Sequence, residues 1–420
     1  MSEDSTTRTR RRYLFSSLTG ALSIALVPLV PFLVFDAEQS GRFSIIYTSF
    51  IVMWSTMLSL TSDVRLRAEA RGDVIDDRDF RGAQTVIAVL GAAIGLVLAL
   101  VLGEQPVVWL AVVAAVGGSL LRVARRFEAM KHPQTLPRVL ASDLLMAVVF
   151  LGVVVVVLVQ GERDTALEWV LAGWAVGAVV GLLPFLPMPL GTPAGGWRWV
   201  RGNRGEALPL LGDTILLDAG GSLAPLTLLF WLDLGGFGVY RALTSVGTPV
   251  QLLLDPIRPK ISGLHSRQLL GARVLGAVLA GGAVLAVAAW AVLALIDHFD
   301  LFHSVLGDVA EFAVPAAVYV FGNMLAYFCY LVARGQFSPR LLLAGWLTQT
   351  TLQFALPIAG VLLGGLALAV DGFAAAIVIA AVVWLALHVV WVRHGGAWRQ
   401  TGQHRMGSGA GTGETVPAEA

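Results

Sequence analysis

The feature that most restricts this chain is its succession of long apolar runs, each near the roughly 20 residues needed to cross a hydrocarbon core of about 30 Å. They fall at roughly 13–35, 43–62, 83–103, 106–122, 137–160 and 166–187, and again at roughly 208–232, 237–257, 269–296, 310–332, 340–363 and 368–392. Only 14% of residues are charged and 56% are apolar, far from the balance of a soluble globule. In a bilayer the backbone must satisfy its own hydrogen bonds, so runs of this length become helices. The expected fold is an all-α polytopic membrane protein of twelve transmembrane helices.

Charge placement orients it. With both termini on the cytoplasmic side, only Arg42, Arg163 and Arg241 among the 29 lysines and arginines fall outside the terminal arms and the inner connections. That is the positive-inside pattern of a multi-pass plasma-membrane protein. Residues 1–12 form a basic cytoplasmic arm, 13–187 a first lobe, 188–207 a Pro-, Gly- and Arg-rich cytoplasmic linker, 208–393 a second lobe, and 394–420 a disordered tail. Arg11 and Arg12 precede an apolar stretch with no A-x-A site, which reads as an uncleaved first span.

The two lobes carry a repeat. Residues 32–44, FLVFDAEQSGRFS, align without gaps on 229–241, LFWLDLGGFGVYR, so Asp36 matches Asp233, Gly41 matches Gly238 and Phe43 matches Tyr240. Polar stripes continue it. At 100° per residue, Arg241, Thr244, Ser245, Thr248 and Asp255 share one face of span 8, and Ser44, Tyr47, Thr48, Ser55, Ser59 and Ser62 share one face of span 2. Spans 1 and 7 show shorter stripes, Ser16, Thr19, Gly20 and Ser23 in one, Thr214, Asp218 and Gly221 in the other. Small hydroxyl residues also serve plain helix packing. Charges at the same faces cost about 2.5–3.5 kcal/mol each at mid-bilayer and favour a wet cleft lined by spans 1, 2, 7 and 8.

Asp218, midway along span 7, reads as an ion-coupling residue or as a lock between helices, and Asp213 is a second coupling candidate nearer the inner end. Arg241 reads as a substrate cation or as a side chain reaching outward to Asp233. Asp255 with Arg258 and Lys260 suits a gating or interfacial ion-pair network, and Asp143 suits a helix cap at the start of span 5. His388 reads as structural, and Asn323, Gln349 and Gln353 as cavity lining or interhelical bonds. No P-loop, H-E-x-x-H or G-x-S-x-G signature is present, and Cys329 is the single cysteine. No catalytic residue, metal site, cofactor or nucleic-acid partner is therefore expected. A membrane-embedded glycolipid enzyme would need a large loop to build its site, and every loop here is short.

D-x(4)-G-[RV]-[FY] at the outer turn of each lobe, with GVYRALTSVGTP and DPIRPK in span 8, resembles the polysaccharide (Wzx-type) flippases of the multidrug/oligosaccharidyl-lipid/polysaccharide (MOP) exporter superfamily. The resemblance implies two six-helix lobes related by a pseudo-twofold along the membrane normal, with alternating access to a central cavity. The implied cargo is a lipid-linked oligosaccharide or polysaccharide precursor moved from inner to outer leaflet, with pathway glycosyltransferases and a polymerase as partners. It also points to Arg241 for the carrier's phosphates, with Thr244, Ser245, Thr248, Ser44, Tyr47, Thr48 and Ser55 for hydroxyl-rich groups. The alternative within the same fold is an ion-coupled multidrug or metabolite exporter, for which Asp218 is the better evidence.

Overall fold

The computed structural model describes residues 19–20, 23, 25–130, 133–161, 164–254, 261, 264–299 and 304–393. Asp255, Arg258 and Lys260 lie outside the described residues, as do the side chains of Asp213 and Asp218. The chain is an all-helical, multi-pass membrane protein. Eight helices among the described residues are long and apolar enough to cross a bilayer.

In the first half, α1 (Ala37–Met57) is followed by a π turn at Leu58–Ser62, and α2 (Asp77–Val101), α3 (Pro106–Met130), α4 (Leu136–Gln160) and α5 (Ala166–Leu182) follow as single α-helices. A linker helix, α6 (Pro193–Gly202), leads to the second half. There α7 (Arg204–Asp218) passes into a π turn at Ala219–Leu223, then α8 (Leu234–Ser245) and α9 (Thr248–Leu254) share one span. Next come α10 (Ala272–Phe299), the short α11 (Val305–Ala310), α12 (Ala313–Gln336) and α13 (Pro339–Arg393). The last is two helices joined at Gly364 and Gly365, whose backbone leaves helical values, Gly365 at φ 71°.

Irregular backbone occurs at several places, among them Leu183–Phe185 near the end of the expected span 6. The regions expected as spans 1, 2, 7 and 8 are interrupted by the 3-10 turn Val30–Leu33, the two π turns and the break at residues 246–247. These are the spans the polar stripes assign to the cleft. Broken helices persist in membranes only where protein or a wet cavity satisfies the freed backbone groups.

Two separate apolar cores form, one from residues between Val27 and Ala175 and one from residues between Leu228 and Trp384 with Phe32 added. The halves touch where the sequence repeat predicts symmetry. Asp36 caps α1 by accepting the Gln39 N–H, and Asp233 caps α8 by accepting the Gly236 N–H, both at 2.8 Å. One turn on, α1 crosses α8 at the matched glycines. A methyl group on Gly41 would run into the Leu234 carbonyl and one on Gly238 into the Ala37 carbonyl, so only glycine permits this approach. Ser304 and Val305 reinforce this end by donating to the carbonyls of Phe32 (2.9 Å) and Phe35 (2.7 Å).

Candidate functional site

Span 8 carries the site, and its local sequence explains its shape. Pro249 has no amide hydrogen to offer Ser245, and Gly247 has no side chain, so the helix breaks between α8 and α9. The carbonyls at the break are taken up by α12. Tyr319 Oη donates to the Thr244 carbonyl at 2.8 Å, and Asn323 Nδ2, one turn further, donates to the Gly247 carbonyl at 3.2 Å. Gly247 leaves the space that the Tyr319 ring fills. The polar face expected along span 8 is therefore not one continuous stripe: Arg241, Thr244 and Ser245 sit on α8, and Thr248 opens α9 on the far side of the break.

Arg241 lies deep in the bundle. Tyr47 on α1, Tyr240 on α8 and Tyr319 on α12 stand within electrostatic reach of its guanidinium. It keeps some accessible surface, while its Nε is shut off without a hydrogen-bond partner. Among the described residues no carboxylate pairs with it. The outward reach to Asp233 does not occur; Asp233 caps α8. A cation held without a counter-charge among phenols is costly in a bundle interior, and an anionic ligand group would relieve it.

The hydroxyls are divided. Thr244 and Ser245 both donate to the Arg241 carbonyl, at 2.9 and 3.0 Å, and retain accessible surface beside it. On α1, Thr48 donates to the Ser44 carbonyl (2.7 Å) and Ser55 to the Ile51 carbonyl (3.1 Å). Such back-bonding spends the hydroxyl on its own helix. Ser44 and Thr48 are buried, and Ser55 keeps accessible surface. Tyr47 is buried in an aromatic cluster with Phe43, Phe50 and Trp174, at centroid distances of 5.6–6.0 Å. Ser59, on the π turn after α1, meets Thr214 of α7, a further polar contact between the two halves.

A group of charges that the sequence reading assigned to inner connections proves to be buried. Asp143 does not cap a helix, since α4 begins seven residues earlier at Leu136. Its carboxylate accepts Arg122 Nη1 at 2.8 Å and Arg126 Nε at 3.1 Å, with all three side chains buried. Ser23 also donates to it at 3.4 Å, and Gly20 makes room for the Arg126 guanidinium. The polar line of span 1 thus packs at Gly20 and Ser23 against a salt-bridge cluster within the first half. Beside it Glu128 accepts both Arg81, at 2.5 Å, and Arg125, at 3.3 Å. His388 is likewise fully buried, with Nδ1 on Ser266 Oγ and Nε2 on the Cys329 carbonyl, both at 2.9 Å. A groove of about 340 Å³ between α12 and α13, lined by Val314, Val318, Val378 and Ile379 with Asp371 its one charged member, contains none of the site residues. No group of metal ligands occurs among the described residues.

No protein-family model matches the sequence, and no curated protein does. Solved structures match over nearly the whole chain. The lipid II flippase MurJ in an inward closed conformation superposes with a TM-score of 0.62 at 10% identity, covering 92% of this chain and 87% of its own. An inward-facing multidrug resistance MATE family transporter of the MOP superfamily gives 0.55 at 11%, covering 93% and 96%. The Vibrio cholerae MATE transporter VcmN in its bent form gives 0.50 at 14%, covering 93% and 99%. The chain shares the fold of these structures. At such identities the likeness fixes architecture alone, and function must be argued from this chain's own residues.

Proposed function

We propose that this protein is an alternating-access transporter that carries a lipid-linked oligosaccharide or polysaccharide precursor from the inner to the outer leaflet of the plasma membrane. The observation that carries the reading is Arg241, a deep cation within electrostatic reach of tyrosines from both halves and with no carboxylate partner among the described residues. A guanidinium matches phosphate oxygens bidentately, and Thr244 and Ser245 beside it, whose hydroxyl hydrogens go to the Arg241 carbonyl, keep oxygen lone pairs that accept from sugar hydroxyls. The exposed arginines of the linker face the cytoplasm in this reading, by the positive-inside rule. The glycine crossing of α1 and α8 then closes the outer side and must part for release.

A second reading, an ion-coupled drug or metabolite exporter, is favoured by one feature. Asp218 is the last residue of α7, directly before the π turn Ala219–Leu223, and such turns recur at functional sites. The experiment is a deletion strain complemented by variants. Under the flippase reading, the deletion strain and Arg241→Ala accumulate lipid-linked sugar on the inner leaflet. Normal outer-leaflet levels in the deletion strain sink that reading, and transport lost in Asp218→Asn but kept in Arg241→Ala favours the exporter.

A further inference from the structure

The linker helix α6 has two unlike faces. On one, Gly195, Gly196 and Trp199 are buried; Trp199 stacks edge-on against Phe80 at 5.3 Å and joins Val64, Ala83 and Ala207 in a small separate core. Gly82 of α2 lets the α6 backbone come close, since any side chain there would strike Gly196 and Thr192. Arg198 ties the helix to Asp79 through Nη2–Oδ1 and Nε–Oδ2 contacts of 2.6 and 3.0 Å. Away from that core Trp197 is 67% exposed, and Arg201 of α6 and Arg204, the first residue of α7, are exposed. An exposed tryptophan flanked by arginines is the pattern of a helix lying in an anionic lipid interface.

The buried face reaches further. Trp199 Nε1 donates at 2.9 Å to the Leu60 carbonyl, inside the π turn Leu58–Ser62. That same turn presents Ser59 to Thr214 of the second half. A π turn holds one extra residue, and resolving it to regular α-helix turns the side chains on one flank by about 100°. Such a rotation removes Ser59 from Thr214. The Trp199 bond therefore holds the backbone state that keeps the halves in contact at the linker end.

We propose that α6 is a lipid-reading latch: Trp197, Arg201 and Arg204 engage anionic phospholipid headgroups of the inner leaflet, and Trp199 thereby holds the Ser59–Thr214 contact that closes the cytoplasmic end. This rests on the cytoplasmic orientation given above and not on the identity of the cargo. The test uses the full chain with Cys329→Ala, Ser59→Cys and Thr214→Cys, reconstituted in phosphatidylcholine alone or in an equimolar mixture with phosphatidylglycerol, and follows the rate of disulfide formation between positions 59 and 214. Cross-linking is expected to be faster in the anionic bilayer, by about fivefold for each arginine engaged. Arg201→Gln with Arg204→Gln should reduce it to the neutral-lipid rate. Trp199→Phe, which keeps the packing and removes the N–H, should slow it in both bilayers. Equal rates in the two bilayers, a lipid dependence that survives loss of both arginines, or an unchanged rate in Trp199→Phe would overturn the proposal. Because no cargo enters the assay, such a result leaves the Arg241 reading standing.

Discussion

Gly238→Ala is the perturbation whose size follows most directly from the structure. The added methyl would overlap the Ala37 carbonyl and lie 2.8 Å from the Gly41 nitrogen, so the obstacles are backbone atoms of a packed helix. Overpacking of this kind costs about 1–3 kcal/mol, and the upper value applies where no side chain can swing away. Alanine regains about 1 kcal/mol over glycine in a helix. The net is a loss of about 2 kcal/mol, or roughly a 30-fold shift against the state in which α1 and α8 touch. Gly276→Ala is the control, because nothing lies within 4 Å of its new methyl and only the propensity gain remains. Thermal unfolding of the detergent-solubilised protein should show Gly238→Ala below wild type and Gly276→Ala at or above it. A cysteine at Ser40, which donates to the Gly238 carbonyl at 3.4 Å, should label faster in the Gly238→Ala background. Equal stability and equal labelling for the two alanine variants would refute the crossing as a close contact.

Other perturbations separate the buried charges from the span 8 break. Asp143→Asn leaves Arg122 and Arg126 facing each other without their shared carboxylate, which should cost about 3–5 kcal/mol and show as a large fall in melting temperature. Tyr319→Phe strips the donor from the Thr244 carbonyl and should cost about 1 kcal/mol of stability, with slower transport as the second readout. Asp308, in α11 outside the spanning helices, has its pKa raised by burial and by the neighbouring charges of Glu311 and Asp36. A carboxyl raised in the folded state favours its neutral form, so it weakens the fold once the pH exceeds its unfolded value and is relieved as the pH falls back through the ordinary carboxylate range. Asp308→Asn should then melt higher than wild type at pH 7, with the gain vanishing towards that range.

Much of the architecture was legible because membranes leave few options. The lengths of the apolar runs dictated helices, and the gapless match of Asp36 with Asp233 and Gly41 with Gly238 revealed a repeat, whose caps and glycine crossing only the structure shows. Other features were hidden for physical reasons. The charge rule that orients the chain counts Arg122, Arg125 and Arg126 as loop cations, yet α3 runs on to Met130 and buries them. Asp143 lies 21 residues from Arg122 and 17 from Arg126, a pairing that no periodicity reveals. A regular 100° projection assumes an unbroken helix, so it drew Arg241 and Thr248 into one stripe across a break that Gly247 and Pro249 impose. Tyr319 carried no signal at all, since a tyrosine within an apolar run looks like ordinary core until its hydroxyl is seen on the Thr244 carbonyl.

Whether Arg241 receives the anionic part of the cargo is tested most directly by the flip rate of a fluorescent polyprenyl-diphosphate saccharide. The proteoliposomes would contain wild type, Arg241→Lys or Arg241→Gln, each first shown to melt as a folded protein. Arg241→Gln should fall to the protein-free rate, and Arg241→Lys should retain a reduced rate, because an ammonium keeps the charge and loses the bidentate fork. Wild-type flipping by Arg241→Gln would contradict the proposal.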